Sequence, residues 1–270
     1  MPQTIIVPLD GSPSAERALG TAAAVAAKTA AEVVLLTARR GGVVVEPRRY
    51  LTDAAVAAGI EHPRAIVAQN QDAASAIADV VSTSTDPVVC MSTHARGGAG
   101  HALLGSVAEE TLRRTSAPVL LVGPEVPEGT PEVDHLLVCL DGSERSAAIL
   151  PIVRAWSRAL GADVTLVTIV EPDRKQESAT ARQGSAAESH LQRLGQQLEG
   201  DCGNVTCMVQ LGERVADVLV DLAERRPGTL LALTTHGRTG LARVTVGSVT
   251  MAVVRKSARP VLAVHAGELG

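Results

Sequence analysis

The chain contains no phenylalanine, and its 270 residues include one Trp, Trp156, and one Tyr, Tyr50. With aromatics at 1%, there are no platforms on which the bases of a single strand could stack. The core must therefore be assembled from Val, Leu, Ile and Ala, which suit sheets and the helices packed on them. An excess of one charge is lacking too. A formal net charge of -4, with no block of like charges, argues against a nucleic-acid partner or an anionic membrane surface. The apolar run Ala22–Ala27 is too short to span a bilayer and sits between Arg17 and Lys28. Asp10 interrupts the first hydrophobic stretch, which excludes a signal-peptide core there. Cys90, Cys139, Cys202 and Cys207 form no metal-ligand spacing and read as buried or incidental thiols of a reducing cytoplasm.

What is present is a repeat. Thr4–Ser12 (TIIVPLDGS) recurs as His135–Ser143 (HLLVCLDGS), a shift of 131 positions, and Glu32–Thr37 falls on Asp163–Thr168 with the same shift. Later the shift is 142: Ser92–Arg96 meets Thr234–Arg238, Gly105–Val107 meets Gly247–Val249, and Pro118–Val122 meets Pro260–Val264. The second half thus carries 142 − 131 = 11 extra residues between its second and fourth strands. They are placed near Arg174–Gly184, where Gln, Ser, Ala and charged residues favour mobility. Gly123–Asp134 holds three prolines and four acidic residues, a linker composition. The expected organisation is a first domain over 1–123, a linker over 124–134 and a second domain over 135–270.

In the first half, strand-like runs lie near Ile5–Leu9, Val33–Thr37, Arg64–Ala68, Val88–Met91 and Val119–Val122. Most are apolar at successive positions, so both faces should be covered, as in a parallel sheet. Helical spacing of Ala15, Leu19, Ala22 and Ala26 fills one gap, and Ser12-Pro13 is a good helix start. The expected fold class is α/β: two tandem doubly wound five-stranded parallel sheets of Rossmann-like type.

In such sheets ligands bind beyond the carboxyl ends of the strands, where strand order reverses. Asp10 and Asp141 close the first strand of each half, and a Gly/polar loop after the fourth ends in Gly-Ser at a helix start. The carboxylates could accept from ribose hydroxyls or an adenine amine, and the helix starts suit phosphate. Blander roles compete: Asp-Gly anchoring a turn, or Ser106 and Glu109 forming a capping box. His94 and His236 read as structural hydrogen-bonders, Trp156 as packing, and Arg39, Arg40, Arg48 and Arg49 as a solvated edge.

These residues resemble the ATP-binding branch of the universal stress protein family, whose motif is G-x2-G-x9-G-[ST] with an Asp closing strand one. The second half reads Thr234-x2-Gly237-x9-Gly247-Ser248, the first Ser92-x2-Ala95-x9-Gly105-Ser106. Spacing is kept; the glycine losses favour the second half over the first. The resemblance implies adenine and ribose near Leu9, Asp10 and Ala38, and near Leu140, Asp141 and Ile169. It implies phosphates at Gly105, Ser106 and Val107, and at Gly237, Gly247, Ser248, Val249 and Thr250. Arg96, His101, Arg238 and Arg243 stand in the same loops, placed to neutralise phosphate. The adenine-nucleotide fold this implies (adenine nucleotide α-hydrolase-like) would bind ATP, with Mg²⁺, as a regulatory ligand. Turnover should be slow or nil, since no Walker lysine, paired general base or metal-carboxylate cluster is evident. Edge strands commonly pair between protomers in this family, so the two halves are expected to pack as a pseudo-dimer, with whole-chain dimerisation left open. The expected partners are an adenine nucleotide and a regulatory protein, with neither nucleic acid nor membrane. A nucleotide-free interaction scaffold on the same fold is the alternative.

Overall fold

The computed structural model describes residues 1–39, 46–93, 105–172, 177–235 and 247–265. In the first half, β1 (Thr4–Pro8), β2 (Glu32–Arg39), β3 (Arg64–Gln69), β4 (Pro87–Ser92) and β5 (Val119–Val122) alternate with α1 (Pro13–Thr29), α2 (Pro47–Ala57), α3 (Ala73–Thr83) and α4 (Ser106–Arg114). The second half repeats the series with β6 (His135–Cys139), a short α5 (Glu144–Ala147), α6 (Leu150–Leu160), β7 (Asp163–Val170), α7 (Glu177–Gln196), β8 (Val205–Leu211), α8 (Val215–Glu224), β9 (Thr229–Thr234), α9 (Ser248–Lys256) and β10 (Val261–Val264).

The strands form one sheet in the order β3-β2-β1-β4-β5-β10-β9-β6-β7-β8. The two expected five-stranded parallel sheets are both there, fused edge to edge. Every pair within a half is parallel, and β5 with β10 is antiparallel. Alternation sends Ile5, Val7 and Leu35 to the core on one face, and Ile6, Val34 and Leu36 to the core on the other. Helices cover both faces, which is why the strands read as unbroken apolar runs.

The register shows that the repeat is structural. Thr4 lies opposite Glu32 and Pro87, and its counterpart His135 lies opposite Asp163 and Thr229. At the seam Leu120 faces Leu262, flanked by Leu121 with Val261 and Val119 with Ala263. Leu120 and Leu262 are themselves equivalent residues, 142 apart, so the pseudo-twofold axis passes between them. The seam is an isologous contact made inside one chain. Both edges that would otherwise be exposed are thereby paired.

The extra residues lie in the span expected, between β7 and β8, but the described part of the expected insertion is helical rather than mobile. Val34 faces Arg64 in the first half, and the equivalent Thr165 faces Thr206, already a shift of 142 at the third strand. All eleven therefore fall between β7 and β8. There α7 has 20 residues where α2 has 11. Residues 177–184, expected to be mobile, are the first turns of α7. Leu191 and Leu194 bury its far end and stabilise it as a helix.

Residues 124–134 run as a strap over α1. The Arg17 guanidinium donates to the carbonyls of Pro124 (2.9 Å) and Val126, and Lys28 donates to the Val133 carbonyl at 2.7 Å. Val126 and Val133 are buried beneath it. Trp156 on α6 is 3% exposed, which bears out a packing role.

At the start of β6, His135 is buried with Nδ1 2.9 Å from Thr229 Oγ1 and Nε2 2.9 Å from Thr165 Oγ1. A neutral ring, one nitrogen donating and one accepting, satisfies both hydroxyls. Burial, then the Arg226 charge, hold its pKa below the ordinary 6.5, against the opposing pull of Asp134 and Asp163. The unfolded chain then binds the proton more readily than the folded one below that value. Stability should be flat above pH 6.5 in this respect and fall as pH drops through the depressed folded pKa. His135→Thr, the residue at the equivalent position in the first half, should remove that slope, as read by urea midpoints across pH 5–8. An unchanged slope contradicts the assignment.

Candidate functional site

Both halves open α1 or α5 with the same device. Asp10 Oδ1 accepts from Ser12 N (3.0 Å) and Ser12 Oγ (2.5 Å), and Asp141 Oδ1 accepts from Ser143 N (2.9 Å) and Ser143 Oγ (2.6 Å). Ser12 then caps Ala15 N, with Pro13 at the first helical position, and Ser143 caps Ser146 N. The intervening Gly11 and Gly142 have φ of 83 and 81°, a conformation that needs glycine. The turn-anchoring role of the two aspartates is thus real. It occupies one carboxylate oxygen, and Asp10 remains on an exposed turn beside the first-half cavity.

The first-half cavity has about 300 Å³ and lies at the carboxyl ends of β1 and β4, where the strand order reverses. Its apolar floor is Leu36 and Ala38 from β2 and Met91 from β4. Leu9 and Asp10 form one rim; Gly105, Ser106 and Val107, at the start of α4, form the other. All six first-half residues expected from the sequence therefore line a single cavity. Ala15, Ala73 and Ala108 complete it from three helices. Leu36 and Met91 were missed, though Leu36 was readable, since it shares a face with Ala38 two residues on. Ala73 was unreadable: nothing marks a helix start after the third strand as part of a site until the chain folds.

The start of α4 differs from the capping box expected of Ser106 and Glu109. Gly105 is the N-cap, no side chain caps the helix, and Ser106 is its first residue. The same holds for Gly247 and Ser248 at α9. The serine hydroxyls are left to the exposed side. Gly105 N donates to Thr93 O (3.1 Å) and Gly247 N to Thr235 O (2.7 Å), so each loop after the fourth strand is closed at its root. A Cβ on Gly247 would come within 2.9 Å of that carbonyl. His94, Arg96, His101, His236, Gly237, Arg238 and Arg243 lie outside the described residues, as does Arg40.

In the second half Leu140 and Thr250 are buried, while Asp141, Ile169, Gly247 and Val249 are half-buried and Ser248 is exposed. A recess of about 280 Å³ takes in Ser248 and Val249 with Arg214, Asp217 and Lys256; Leu140, Asp141 and Ile169 do not line it. Lys256 donates to Asp217 at 2.5 Å, which holds that carboxyl below its ordinary range. Cys139, beside Asp141, is pushed up to about 12 by burial and then by the Asp141 charge, so it stands as a neutral thiol rather than a nucleophile. Arg48 and Arg49 are exposed, and Arg49 pairs loosely with Glu46 and Asp53, as a solvated edge does. Among the described residues, no three His, Cys, Asp or Glu side chains gather as a metal site, and no helix is long and apolar enough to cross a membrane.

Two doubly wound α/β units, each with a strand-end Asp and a Gly-Ser helix start at its switch point, define a tandem α/β fold. The model of the universal stress protein family matches residues 1–83, 43–123 and 132–265. The chain belongs to that family. No curated protein sequence matches it. Among solved structures, it resembles a functionally unknown protein from Pseudomonas aeruginosa PAO1 at TM-score 0.69 and 16% identity, covering 99% of this chain and 94% of that one. A universal stress protein from Archaeoglobus fulgidus DSM 4304 aligns at TM-score 0.65 and 18% identity, covering 98% and 99%. At such identities these likenesses speak to the fold alone.

Proposed function

We propose that the protein is a cytoplasmic regulatory member of its family that binds an adenine nucleotide, with little or no turnover. The observation that carries this is the first-half cavity. Its apolar floor suits a purine, Asp10 stands at the rim where a ribose would lie, and the first residues of α4, a helix start with no side-chain cap, line the same opening. The residues fit a nucleoside with phosphates leading toward the helix start. Leu9 and Ala38 would hold the base, Asp10 the sugar, and Gly105, Ser106 and Val107 the phosphate end. Mg²⁺ would enter with the phosphates. Bound ATP would act by favouring one conformation or one partner of the protein.

A nucleotide-free scaffold remains the second reading, favoured by the fact that Asp10 and Asp141 each commit one oxygen to a helix-opening turn. Calorimetric titration of nucleotide-stripped protein with Mg-ATP, ADP and cyclic AMP separates the two. Saturable binding of at least one supports the nucleotide reading. No heat at several temperatures, with no shift in melting temperature, leaves the scaffold.

A further inference from the structure

We infer that Tyr50 is a positioning residue for the first-half site: from behind the Asp10–Ser12 turn, it holds the Asp10 carboxylate where a ribose would meet it. This rests on the nucleotide reading above and assigns to that site a side chain outside its walls, since Tyr50 does not line the cavity. Tyr50 is the one tyrosine of the chain and lies on α2. Leu51 and Ala55 of the same helix are fully buried, so the element that carries the phenol is seated firmly on the sheet. The ring is half-buried against the core of that face. Its hydroxyl donates to Glu16 Oε1 at 2.9 Å, in the first turn of α1.

The phenol thereby meets both ends of the turn that opens α1. Glu16 N donates to the Ser12 carbonyl at 3.3 Å, and Ser12 in turn donates to Asp10. Ala15, next to Glu16, lines the cavity itself. On the other side the Gly11 amide bears on the phenol oxygen, and the Asp10 charge reaches it. Burial first, then the Glu16 hydrogen bond and charge, hold the phenol pKa above its ordinary value against the Gly11 amide, so the hydroxyl stays a donor at neutral pH. Gly11, with φ of 83°, is the joint of this turn and brings no side chain to stiffen it. A hydroxyl lodged against that joint from a separate helix limits how far the Asp10 carboxylate can swing. The brace belongs to the first half: the counterpart of Glu16, 131 residues on, is Ala147, and the chain has no second tyrosine. A plain tie between α1 and α2 would stabilise the fold and nothing else; contact with the Gly11 joint is what connects it to the sugar end of the site.

The test compares Mg-ATP with Mg-2′,3′-dideoxy-ATP, which lacks the ribose hydroxyls, by equilibrium dialysis against the full, nucleotide-stripped chain. Wild type should hold Mg-ATP the more tightly of the two. Tyr50→Phe keeps the ring and removes only the hydroxyl; it should weaken Mg-ATP by roughly three- to tenfold, the usual contribution of one hydrogen bond, and leave the dideoxy nucleotide almost unaffected. Glu16→Gln keeps an acceptor for the phenol and should weaken Mg-ATP less than Tyr50→Phe does. Equal weakening of both nucleotides by Tyr50→Phe, unchanged Mg-ATP binding in that variant, or equal affinity of wild type for the two nucleotides overturns this inference while leaving the nucleotide reading standing. No binding of either nucleotide by wild type overturns both.

Discussion

Replacing Leu120 with Ala should lower the stability of the whole chain by roughly 2–5 kcal/mol, and Leu262→Ala should do the same. Both side chains are essentially inaccessible (0% and 1% exposed) and face each other across the only antiparallel pair of strands described. Because the pseudo-twofold axis runs between them, the two losses should be similar. They should also fail to add, since contacting residues share a cavity when both are truncated; a coupling of about 0.5–3 kcal/mol is the usual range. A charged replacement, Leu120→Asp, should be worse, since an unpaired carboxylate at the seam has no partner to offset its desolvation. Urea unfolding followed by far-UV circular dichroism reads all of these. Single-variant losses below about 1 kcal/mol, or strictly additive ones, would show that the halves are joined by the strap rather than by the sheet.

The second large effect concerns the strap. Gly20 on α1 lies against the carbonyl of Gly129, and any Cβ there would overlap backbone that has no flexible end to move aside. Gly20→Val should therefore push residues 126–132 off the helix and cost about 1–3 kcal/mol in overpacking. It should also loosen the Arg17 and Lys28 contacts to the strap carbonyls. Limited proteolysis adds a readout that stability alone lacks: cleavage should move into the Gly123–Asp134 segment in the variant and spare it in wild type. A variant that resists cleavage and melts like wild type would mean that the strap can lie elsewhere at no cost.

Much of this architecture was legible because it was written twice. Thr4–Ser12 and His135–Ser143 share a pattern, and a second register shift later in the chain gives both the repeat and the position of the insertion. Runs such as Val33–Leu36, apolar at every position, announced a sheet covered on both faces. Ser12-Pro13 announced the helix that follows it. The insertion misled because its Gln, Ser, Ala and charged residues read as mobile by composition, yet Ala, Gln, Glu and Arg are good helix formers once Leu191 and Leu194 anchor the far end. The Ser106–Glu109 spacing misled for a different reason: helix α4 begins one residue earlier than a capping box needs, so the serine became the first helical residue.

The first-half site was legible in its motif residues and not in the helix-start alanines that complete its walls. Its walls include Ala73 and Ala108, which come from separate helices and carry no motif of their own, beside Ala38 on β2. Their importance appears only when the sheet sets β2 beside the starts of α3 and α4.

The most direct measurement is a methyl NMR titration of protein labelled at its alanine methyl groups, adding Mg-ATP to the nucleotide-stripped chain. The account predicts that the methyl resonances of Ala15, Ala38, Ala73 and Ala108 shift saturably and together. Saturable shifts confined to the second half, or no shift in the four cavity alanines, would contradict it.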